Sequence, residues 1–537
     1  MSLKKQGLYA LCMLCSCLCI KAFDPALLCD RSCQPDTEKA LLDDQLSERG
    51  LITPSDFDEE SLSAGRVAEY TFLSAREMFV AQRVKKGISL SGGGTRAAIA
   101  NFGALKGLAQ VYDHATGKSM IDRTVCMTSL SGSTWLMQVL YSHAHKSFLS
   151  IDELRAFEGT LKHNLTLSFL NPMVHEIFHK HMIDIWADCI SNQYFADNIA
   201  LAREHLSQTA FRIDPKDAPI PILTAALDMV SITKPSSGFN WVLASLGSLY
   251  KKVDYDMLTL TPFMASACLC GRLVDMPQFE QKFRTSIGSE LTTGLTIGMC
   301  GSAYAVSTRD IYDQAVIFLT KKPTSQAPID LTKAGIVWQP AVQVPNDLIG
   351  SFEAHTLCPA YTPNCFNEKS SNDLIITKDG GIISCIPDLP LIRQDCELLI
   401  DIDASGSSPE NCLELMKNEK FYAAYNTKVK CTGIPYPAIG DGMHTCDIFV
   451  RKNSSTNETY VMKIFYGHAK TDYEPMVPTV LYIPNLHPFS TTKFEYTSQE
   501  FDVLAGSMER AVLAFAPELN ALSEDPFTHV SQAKENF

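Results

Sequence analysis

Ser91-Gly-Gly-Gly-Thr-Arg96 and Ser129-Leu-Ser-Gly-Ser-Thr-Trp135 are the two stretches that decide the fold of this chain. Residues 87–90 and 123–128, which precede them, are short apolar runs typical of buried strands, and the residues after each stretch favour a helix. Two strand–turn–helix corners this close together can place outward-facing backbone N–H groups beside an exposed serine. This arrangement is the one that an acyl-transferring serine hydrolase requires.

Ser131 is the candidate nucleophile at the second corner. A serine hydroxyl reacts only when a base removes its proton. A sharp turn between a strand and a helix pushes the side chain outward and places the helix N-terminus beneath it, where the partial positive charge favours an oxyanion. The usual pattern is Gly-x-Ser-x-Gly, but Ser129 and Ser133 replace both glycines here. A serine-rich helix N-cap is the structural alternative.

The three glycines of the first corner, residues 92–94, add to the argument for Ser131. Glycine lets the backbone turn its N–H groups outward without interference from side chains, and such groups stabilise the negative oxygen of a tetrahedral intermediate. Arg96 follows in the first turn of the predicted helix. Its guanidinium could hold a phosphate through two parallel hydrogen bonds, and the alternative is a solvated surface arginine.

A rival interpretation of the first corner is a nucleotide site, because Gly92-x-Gly94-x-x-Ala97 fits a loose dinucleotide-binding pattern. That site needs an acid at the end of the next strand, about twenty residues further on. Asp113 lies near this spacing but ends a predicted helix. The rival also leaves Ser131 without a role.

Asp379 is the candidate base. It follows a predicted strand at residues 374–377 and precedes two glycines, so its carboxylate would lie at a strand end with little bulk beside it. Such a carboxylate can accept the serine proton directly, although Asp-Gly is also common in simple turns. A Ser-His-Asp esterase would instead use a histidine after the acid. The candidates are His444, His468, His487 and His529, and none lies in a segment that looks catalytic; His143 is predicted to point away from Ser131.

Composition excludes several other classes of function. The 537-residue chain has a formal net charge of −14, which argues against nucleic acid as a partner and against simple electrostatic adsorption to anionic lipid. The cysteine spacing shows no metal-binding pattern. The sequence therefore predicts no metal and no cofactor, and it does not indicate a protein partner.

The N-terminus predicts export. Two lysines precede a short apolar run at residues 8–20, which is the shape of a secretory signal peptide, here placed at 1–20. A buried N-terminal helix is the alternative. The cysteines within the run loosely resemble a lipoprotein processing site and leave a lipid anchor open. Residues 21–80 form a polar leader with one predicted helix at 64–82, and residues 81–530 form the main domain.

Strands and helices alternate from about residue 86 onward, which indicates an α/β layer structure. The residues between 150 and 215 are predicted to be helical, with helices at 152–165, 174–178 and 193–206, and a further helix is predicted at 294–307. An excursion over one face is predicted at about 308–378, and an amphipathic helix closes the domain at 499–515. The other predicted strands are 219–226, 398–404, 446–451, 460–466 and 477–484.

Several separate motifs, in the same order, resemble the catalytic domain of the cytosolic (group IV) phospholipases A2, which are related to fungal lysophospholipases B. The similar segments span roughly residues 85–515 and are Leu90-Ser-Gly-Gly-Gly-Thr-Arg-Ala97, Leu130-Ser-Gly-Ser-Thr-Trp135, Leu140-Tyr-Ser-His143, Gly301-Ser-Ala-Tyr304, Asp379-Gly-Gly381 through Arg393, Pro488-Phe-Ser490 and Phe494-Glu-Tyr496.

This resemblance implies a three-layer, patatin-like α/β hydrolase with a helical cap region. It implies that Ser131 is the nucleophile, Asp379 its base, Gly93 and Gly94 the oxyanion hole, and Arg96 the ligand of the lipid phosphate. The implied reaction is hydrolysis of phospholipid or lysophospholipid acyl esters through an acyl-enzyme, at a membrane or micelle surface. A catalytically inactive lipid-binding relative is the alternative.

The chain departs from the family at three places. Ser129 replaces the glycine before the serine turn, Cys385 replaces an asparagine in the aspartate motif, and the excursion at 308–378 is shorter than the family's cap. The leader is also too short for a calcium-dependent membrane-binding domain. The resemblance therefore implies activity that is independent of calcium.

Overall fold

The computed structural model of the chain describes residues 64–80, 84–143, 149–167, 182–209, 213–228, 255–268, 272–301, 360–366, 374–406, 412–429, 434–440, 446–487, 489 and 493–530. The predicted signal peptide, the predicted helix at 174–178 and most of the excursion at 308–378 lie outside these residues.

A mixed sheet forms the centre of the described fold, and its strands run in the order β10-β11-β12-β9-β1-β2-β3-β4-β5-β6. Neighbours from β12 to β3 are parallel, while both flanks are antiparallel. The strands are β1 (Lys86–Leu90), β2 (Cys126–Leu130), β3 (Ile220–Asp228), β4 (Tyr255–Leu260), β5 (Met264–Ala267), β6 (Arg272–Asp275), β7 (Ala360–Pro363), β8 (Leu374–Lys378), β9 (Leu398–Asp403), β10 (Asp447–Lys452), β11 (Thr459–Phe465) and β12 (Thr479–Pro484).

Helices pack around this sheet, as the central parallel strands require. Every residue of β1, β2, β9 and β12 is buried, which is typical of strands covered on both faces. The helices are α1 (Ala64–Val80), α2 (Gly94–Leu108), α3 (Gly132–His143), α4 (Ile151–Asn164), α5 (Met182–Tyr194), α6 (Ile199–Ala202), α7 (Leu206–Thr209), α8 (Met276–Ile287), α9 (Thr293–Cys300), α10 (Leu389–Arg393), α11 (Leu413–Val429), α12 (Ser498–Ala514) and α13 (Ala516–Glu524).

The predicted α/β class is confirmed, and most predicted elements occur within a few residues of their expected bounds. The predicted helix at 193–206 is the main difference. Three helices, α5, α6 and α7, cover that region, because the chain turns after Tyr194 and again after Ala202. The antiparallel strands β4 to β6 and the helix α11 were not predicted.

Helix α1 of the leader is fixed to the sheet by a buried arginine. The guanidinium of Arg76 is 0% exposed. It donates hydrogen bonds to the carbonyl oxygens of Ile121, Asp122, Thr124 and Pro215 at 2.8–3.1 Å. These carbonyls belong to the segments that enter β2 and β3, so α1 lies at the edge of the sheet where those strands begin.

The pairing of β3 explains how distant parts of the chain meet. One side of β3 pairs with β4 over Leu223–Asp228. The other side of β3 has two partners in succession. It pairs with β2 as far as Leu130, which lies opposite Thr224, and then with β8, whose Lys378 lies opposite Ala226. Strand β8 is antiparallel to β3 and therefore runs toward the carboxyl end of β2. The residue after β8 is thus delivered beside the residue after β2.

Candidate active site

Ser131 lies in the sharp turn between β2 and α3. Its backbone φ is 53°, one of four positive values among the described non-glycine residues. This conformation is unusual for a residue with a side chain and is typical of strained functional turns. The Ser131 carbonyl accepts a hydrogen bond from Thr134 N at 2.8 Å, which closes the first turn of α3. The side chain is largely buried, with 7% of the residue exposed.

The serine at position 129 does not prevent this turn. Ser129 is the penultimate residue of β2 and is fully buried. Its hydroxyl lies 3.4 Å from that of Thr134 on α3, so the two polar groups can satisfy each other. The extra side-chain atoms are accommodated between the strand and the helix.

Asp379 follows β8 and lies beside Ser131, as the pairing of β3 requires. The Ser131 hydroxyl lies near enough to the Asp379 carboxylate to lower its pKa. One oxygen of that carboxylate accepts a hydrogen bond from Gly381 N at 2.9 Å. Burial raises the pKa of Asp379 above its ordinary value, and Gly381 N–H and the Ser131 hydroxyl only partly oppose the increase. Two groups that lie 248 positions apart in the sequence are therefore neighbours in the fold.

The glycine loop at residues 92–94 lies against the Ser131 turn. Gly93 has a φ of 139° and Gly94 a φ of 66°, conformations that residues with a side chain rarely adopt. A Cβ at Gly132 would lie 1.9 Å from the Gly94 carbonyl oxygen, so the two turns touch. Within the described residues, neither Gly93 N–H nor Gly94 N–H donates a hydrogen bond to a protein acceptor. Both remain available to an oxyanion.

A buried network that the sequence analysis did not identify joins the two turns. Asn101 Nδ2, on α2, donates a hydrogen bond to the Ser91 carbonyl at 3.1 Å and also bonds the Ser133 hydroxyl. The Ser133 hydroxyl donates to the same carbonyl. The Ser91 hydroxyl in turn accepts from Ala404 N at 2.6 Å. All three side chains are fully buried. The sequence signal that could have revealed this network is Asn101, a polar residue within the otherwise apolar run at 97–105.

Arg96 lies close to the site, but its donors already have partners. Nε and Nη2 donate to the Ala404 carbonyl at 3.1 and 2.7 Å, and Nη1 donates to the Phe489 carbonyl at 2.7 Å. The residue is 4% exposed. A lipid phosphate would therefore have to displace these carbonyls from Arg96 or share its N–H donors with them. The phosphate-binding role of Arg96 stays a prediction.

Four of the candidate histidines lie against other carboxylates. His143 Nε2 is 3.6 Å from Asp197, and His468, His487 and His529 lie 3.6–4.0 Å from Glu474, Glu458 and Asp447. No histidine is among the groups that shift the pKa of Asp379. His444 lies outside the described residues. The described part of the chain therefore does not assemble a Ser-His-Asp triad.

Two further properties concern metals and membranes. In the described part of the chain, no group of three or more His, Cys, Asp or Glu side chains is arranged to hold a metal ion. Within the same residues, no helix combines the length and the apolar character needed to cross a membrane.

Comparison with known proteins finds a family whose model matches part of this chain. Residues 86–225 match the model of a family described as the lysophospholipase catalytic domain. The resemblance to phospholipases A2 and lysophospholipases is confirmed. The predicted enzyme class, a phospholipase or lysophospholipase hydrolase, is confirmed with it. The matched segment contains both corners, from β1 into β3, but ends well before Asp379.

Solved structures show the same fold. Human GIVD cytosolic phospholipase A2 is similar with a TM-score of 0.52 and 14% identity, over 86% of this chain and 67% of that chain. The same human protein in complex with methyl gamma-linolenyl fluorophosphonate gives a TM-score of 0.49 and 14% identity, over 87% and 65%. No curated protein matches this chain in sequence. The predicted patatin-like fold of this hydrolase is confirmed.

Proposed function

We propose that this hydrolase cleaves acyl esters of glycerophospholipids, lysophospholipids or both, with Ser131 as nucleophile and Asp379 as its only base. The family match and the fold support phospholipid hydrolysis. The observation that supports this division of roles is the position of the buried Asp379 carboxylate beside Ser131, at the ends of β8 and β2, near enough for the hydroxyl to lower its pKa.

In the proposed reaction, Asp379 takes the hydroxyl proton of Ser131 while the Ser131 oxygen bonds to the ester carbonyl carbon. The N–H groups of Gly93 and Gly94 donate to the oxygen that becomes negative. The glycerol oxygen leaves with the proton from Asp379, and an acyl-enzyme remains. Water then attacks the acyl carbon and gives a proton to Asp379, which returns it to Ser131 as the free fatty acid leaves.

The raised pKa of Asp379 supports its role as a base. An aspartate with an ordinary pKa is a weak base at neutral pH, and efficient proton transfer needs a pKa nearer the working pH. Burial supplies this increase. Glycine at position 381 also keeps a side chain away from the carboxylate, since a Cβ there would lie 3.2 Å from Asp379 Oδ1.

Two substitutions test the roles of Ser131 and Asp379. Purified protein is incubated with mixed phospholipids and lysophospholipids in a calcium chelator, and the products are identified by mass. Ser131→Ala and Asp379→Asn are each expected to lower kcat by at least about 10³-fold, as removal of a nucleophile or its base does elsewhere. The exposed Ser455→Ala and Asp472→Asn serve as matched controls and are expected to retain full activity.

The outcomes separate the alternatives. Full activity of Ser131→Ala would exclude Ser131 as the nucleophile. Activity that survives Asp379→Asn but is lost in His487→Ala would favour a conventional triad. Loss of activity in chelator that calcium restores would contradict calcium independence. Lipid binding without hydrolysis by the unmodified protein would favour an inactive lipid-binding relative.

We also propose that the chain is exported through its N-terminal signal peptide at residues 1–20. The support is the lysine pair followed by the short apolar run. Expression of the full chain, followed by N-terminal sequencing of the protein outside the cell, tests the proposal. A mature N-terminus near residue 21 is expected, and retention of Met1 on a protein that stays inside the cell would contradict it.

A further inference from the structure

Cys385 connects the aspartate turn to the glycine loop through its backbone. Its carbonyl accepts a hydrogen bond from Gly92 N at 2.8 Å. Gly92 immediately precedes the two residues whose N–H groups face the proposed oxyanion. Cys385 lies six residues after Asp379, in a bend that follows the short helical turn at residues 380–382. The Cys385 carbonyl therefore ties the proposed oxyanion loop to the segment that carries the proposed base.

Glu414 holds the other backbone polar group of Cys385, its N–H, which belongs to the preceding peptide unit. It is the second residue of α11 and is 2% exposed. Its Oε2 accepts a hydrogen bond from Cys385 N at 2.7 Å, and its backbone carbonyl accepts one from the Ser384 hydroxyl at 3.2 Å. Its Oε1 accepts from Lys417 Nζ at 2.8 Å, so the buried negative charge has a cationic partner.

The bonds on the two sides of the Cys385 residue reinforce the placement of the loop. A hydrogen bond to an ionised carboxylate is shorter and stronger than one between neutral groups, so Glu414 restrains the residue whose carbonyl holds Gly92. The Cys385 thiol is not required for either bond. This explains how a cysteine can replace the family's asparagine while the support of the turn is retained through the backbone.

We infer that Glu414 is a positioning residue of the active site, which fixes the Cys385 peptide and through it the oxyanion loop at residues 92–94 relative to Asp379. This inference rests on the proposed function, because it assigns a purpose to Glu414 in that reaction. Oxyanion donors act only within about 2.7–3.1 Å of the developing charge. A displacement of about 1 Å in the reacting groups can lower a rate by about 10²-fold.

Glu419, one turn further along α11, provides a matched control. Its carboxylate also accepts backbone N–H groups, those of Ile439 and Gly440 at 3.2 Å, but these lie outside the active site. Loss of this carboxylate should disturb α11 and its neighbouring loop without moving Gly92. If Glu414 had only a structural role, its loss would disturb α11 without moving Gly92, as is expected for the loss of the Glu419 carboxylate.

The experiment compares Glu414→Ala, Glu414→Gln and Glu419→Gln in the full chain. The measurements are kcat and KM on phospholipid vesicles in chelator, the thermal midpoint, and hydrogen exchange of the peptide that covers residues 91–96. We expect Glu414→Ala to lower kcat by about 10²-fold with little change in KM, since the substrate surface is not altered. Glu414→Gln keeps a neutral acceptor, so its kcat should be about tenfold higher than that of Glu414→Ala.

Hydrogen exchange keeps this inference distinct from the proposed function. Faster exchange of residues 91–96 in Glu414→Ala, but not in Glu419→Gln, supports the inference even if no ester is cleaved. If the unmodified protein cleaves no lipid, the proposed function fails while the exchange result still decides the positioning role. Equal hydrogen exchange of residues 91–96 and equal kcat in Glu414→Ala and Glu419→Gln would overturn the positioning role of Glu414.

Discussion

The Ser131 turn and the Asp379 carboxylate show how single residues at this site trade stability for reactivity. Ser131 adopts a positive φ that is costly for any residue with a side chain. Asp379 is 8% exposed, and burial makes its charged form unfavourable. The stability of the rest of the fold offsets both unfavourable contributions to the free energy of folding. Both also prepare the groups for the proposed chemistry.

The raised pKa of Asp379 predicts a pH dependence of activity. The proposed base works only when it is ionised, so kcat/KM should fall as the pH decreases through the folded-state pKa, which lies above the ordinary 3.8. The pH profile in chelator measures this directly. Activity that stays constant down to pH 4 would contradict a raised pKa at the base.

The same shift predicts that Asp379→Asn stabilises the protein at neutral pH. An acid whose folded-state pKa is raised contributes full stability below its unfolded pKa and loses it as the pH rises through the folded pKa. Replacing the carboxyl with an amide removes that loss. Urea unfolding at pH 7 should therefore give a higher midpoint for Asp379→Asn, while Asp472→Asn, at an exposed position, should leave it unchanged.

Two glycines give opposite predictions for substitution by alanine. A Cβ at Gly132 would lie 1.9 Å from the Gly94 carbonyl oxygen, whereas a Cβ at Gly159 would have nothing within 4 Å. Gly132→Ala should separate the Ser131 turn from the glycine loop and lower kcat by at least about 10²-fold. Gly159→Ala, in helix α4, should stabilise by about 0.5–1 kcal/mol with unchanged activity. Kinetics and urea unfolding of both variants test the pair.

At the scale of single elements, short polar contacts decide where helices attach. Helix α1 has few buried apolar residues, Phe72, Leu73 and Val80. Its position depends strongly on the buried Arg76 guanidinium, which bonds carbonyls from two separate entry segments. Helix α10 is likewise placed by polar groups, since Asp388 at its N-terminus accepts hydrogen bonds from Asn418 and Tyr436.

Arg76→Ala should loosen α1 from the sheet. The variant leaves buried carbonyls without donors, which costs about 1–3 kcal/mol for such groups. Faster hydrogen exchange across residues 64–80 and a lower midpoint of unfolding are expected. Arg76→Lys should rescue only partly, because one ammonium cannot reach all the carbonyls that the planar guanidinium bonds. Unchanged exchange in Arg76→Ala would show that apolar packing alone holds the helix.

Asp388 and Asp401 form a buried carboxyl pair between α10 and β9. Both are fully buried, and burial raises the pKa of each, with their mutual proximity adding to the increase for Asp401. One proton shared by two such carboxyls relieves the repulsion. Stability from this pair is complete at low pH and is lost as the pH rises through the raised pKa values.

Asp401→Asn should therefore stabilise the protein more at pH 8 than at pH 5. The amide cannot ionise, so it removes the charge that burial and Asp388 make unfavourable at position 401. Unfolding free energies of the variant and of the unmodified protein at the two pH values measure the difference. A stabilisation that is independent of pH would contradict the shared proton.

At the scale of the whole molecule, the pairing of β3 decides the active site. Strand β2 brings Ser131 to the carboxyl edge of the sheet, and β8 enters from the opposite direction along the same side of β3. Ser131 and Asp379 lie 248 positions apart along the chain, yet two strands that pair with the same neighbour bring them side by side. The oxyanion loop joins them because β1 is the parallel neighbour of β2.

Local patterns predicted much of this fold, and the reasons for the failures are local as well. The corners after β1 and β2 were predictable because buried strands and glycine-rich turns are encoded within a few residues. Strands β4 to β6 escaped because short antiparallel strands such as Met264–Ala267 lack a clear alternation of polar and apolar residues. The helix predicted at 193–206 divides into three because packing against other elements overrides helix propensity.

The sequence by itself determined the α/β class, the two corners, the nucleophile candidate and the acid candidate, because each depends on residues that are neighbours along the chain. Only the tertiary structure decided that Asp379 lies beside Ser131, that the Arg96 donors bond backbone carbonyls, and that Asn101 and Glu414 hydrogen-bond the segments next to the two turns. Those contacts join segments up to about 300–400 residues apart. Only strand pairing and burial bring such segments together, and neither leaves a periodic signal in the sequence.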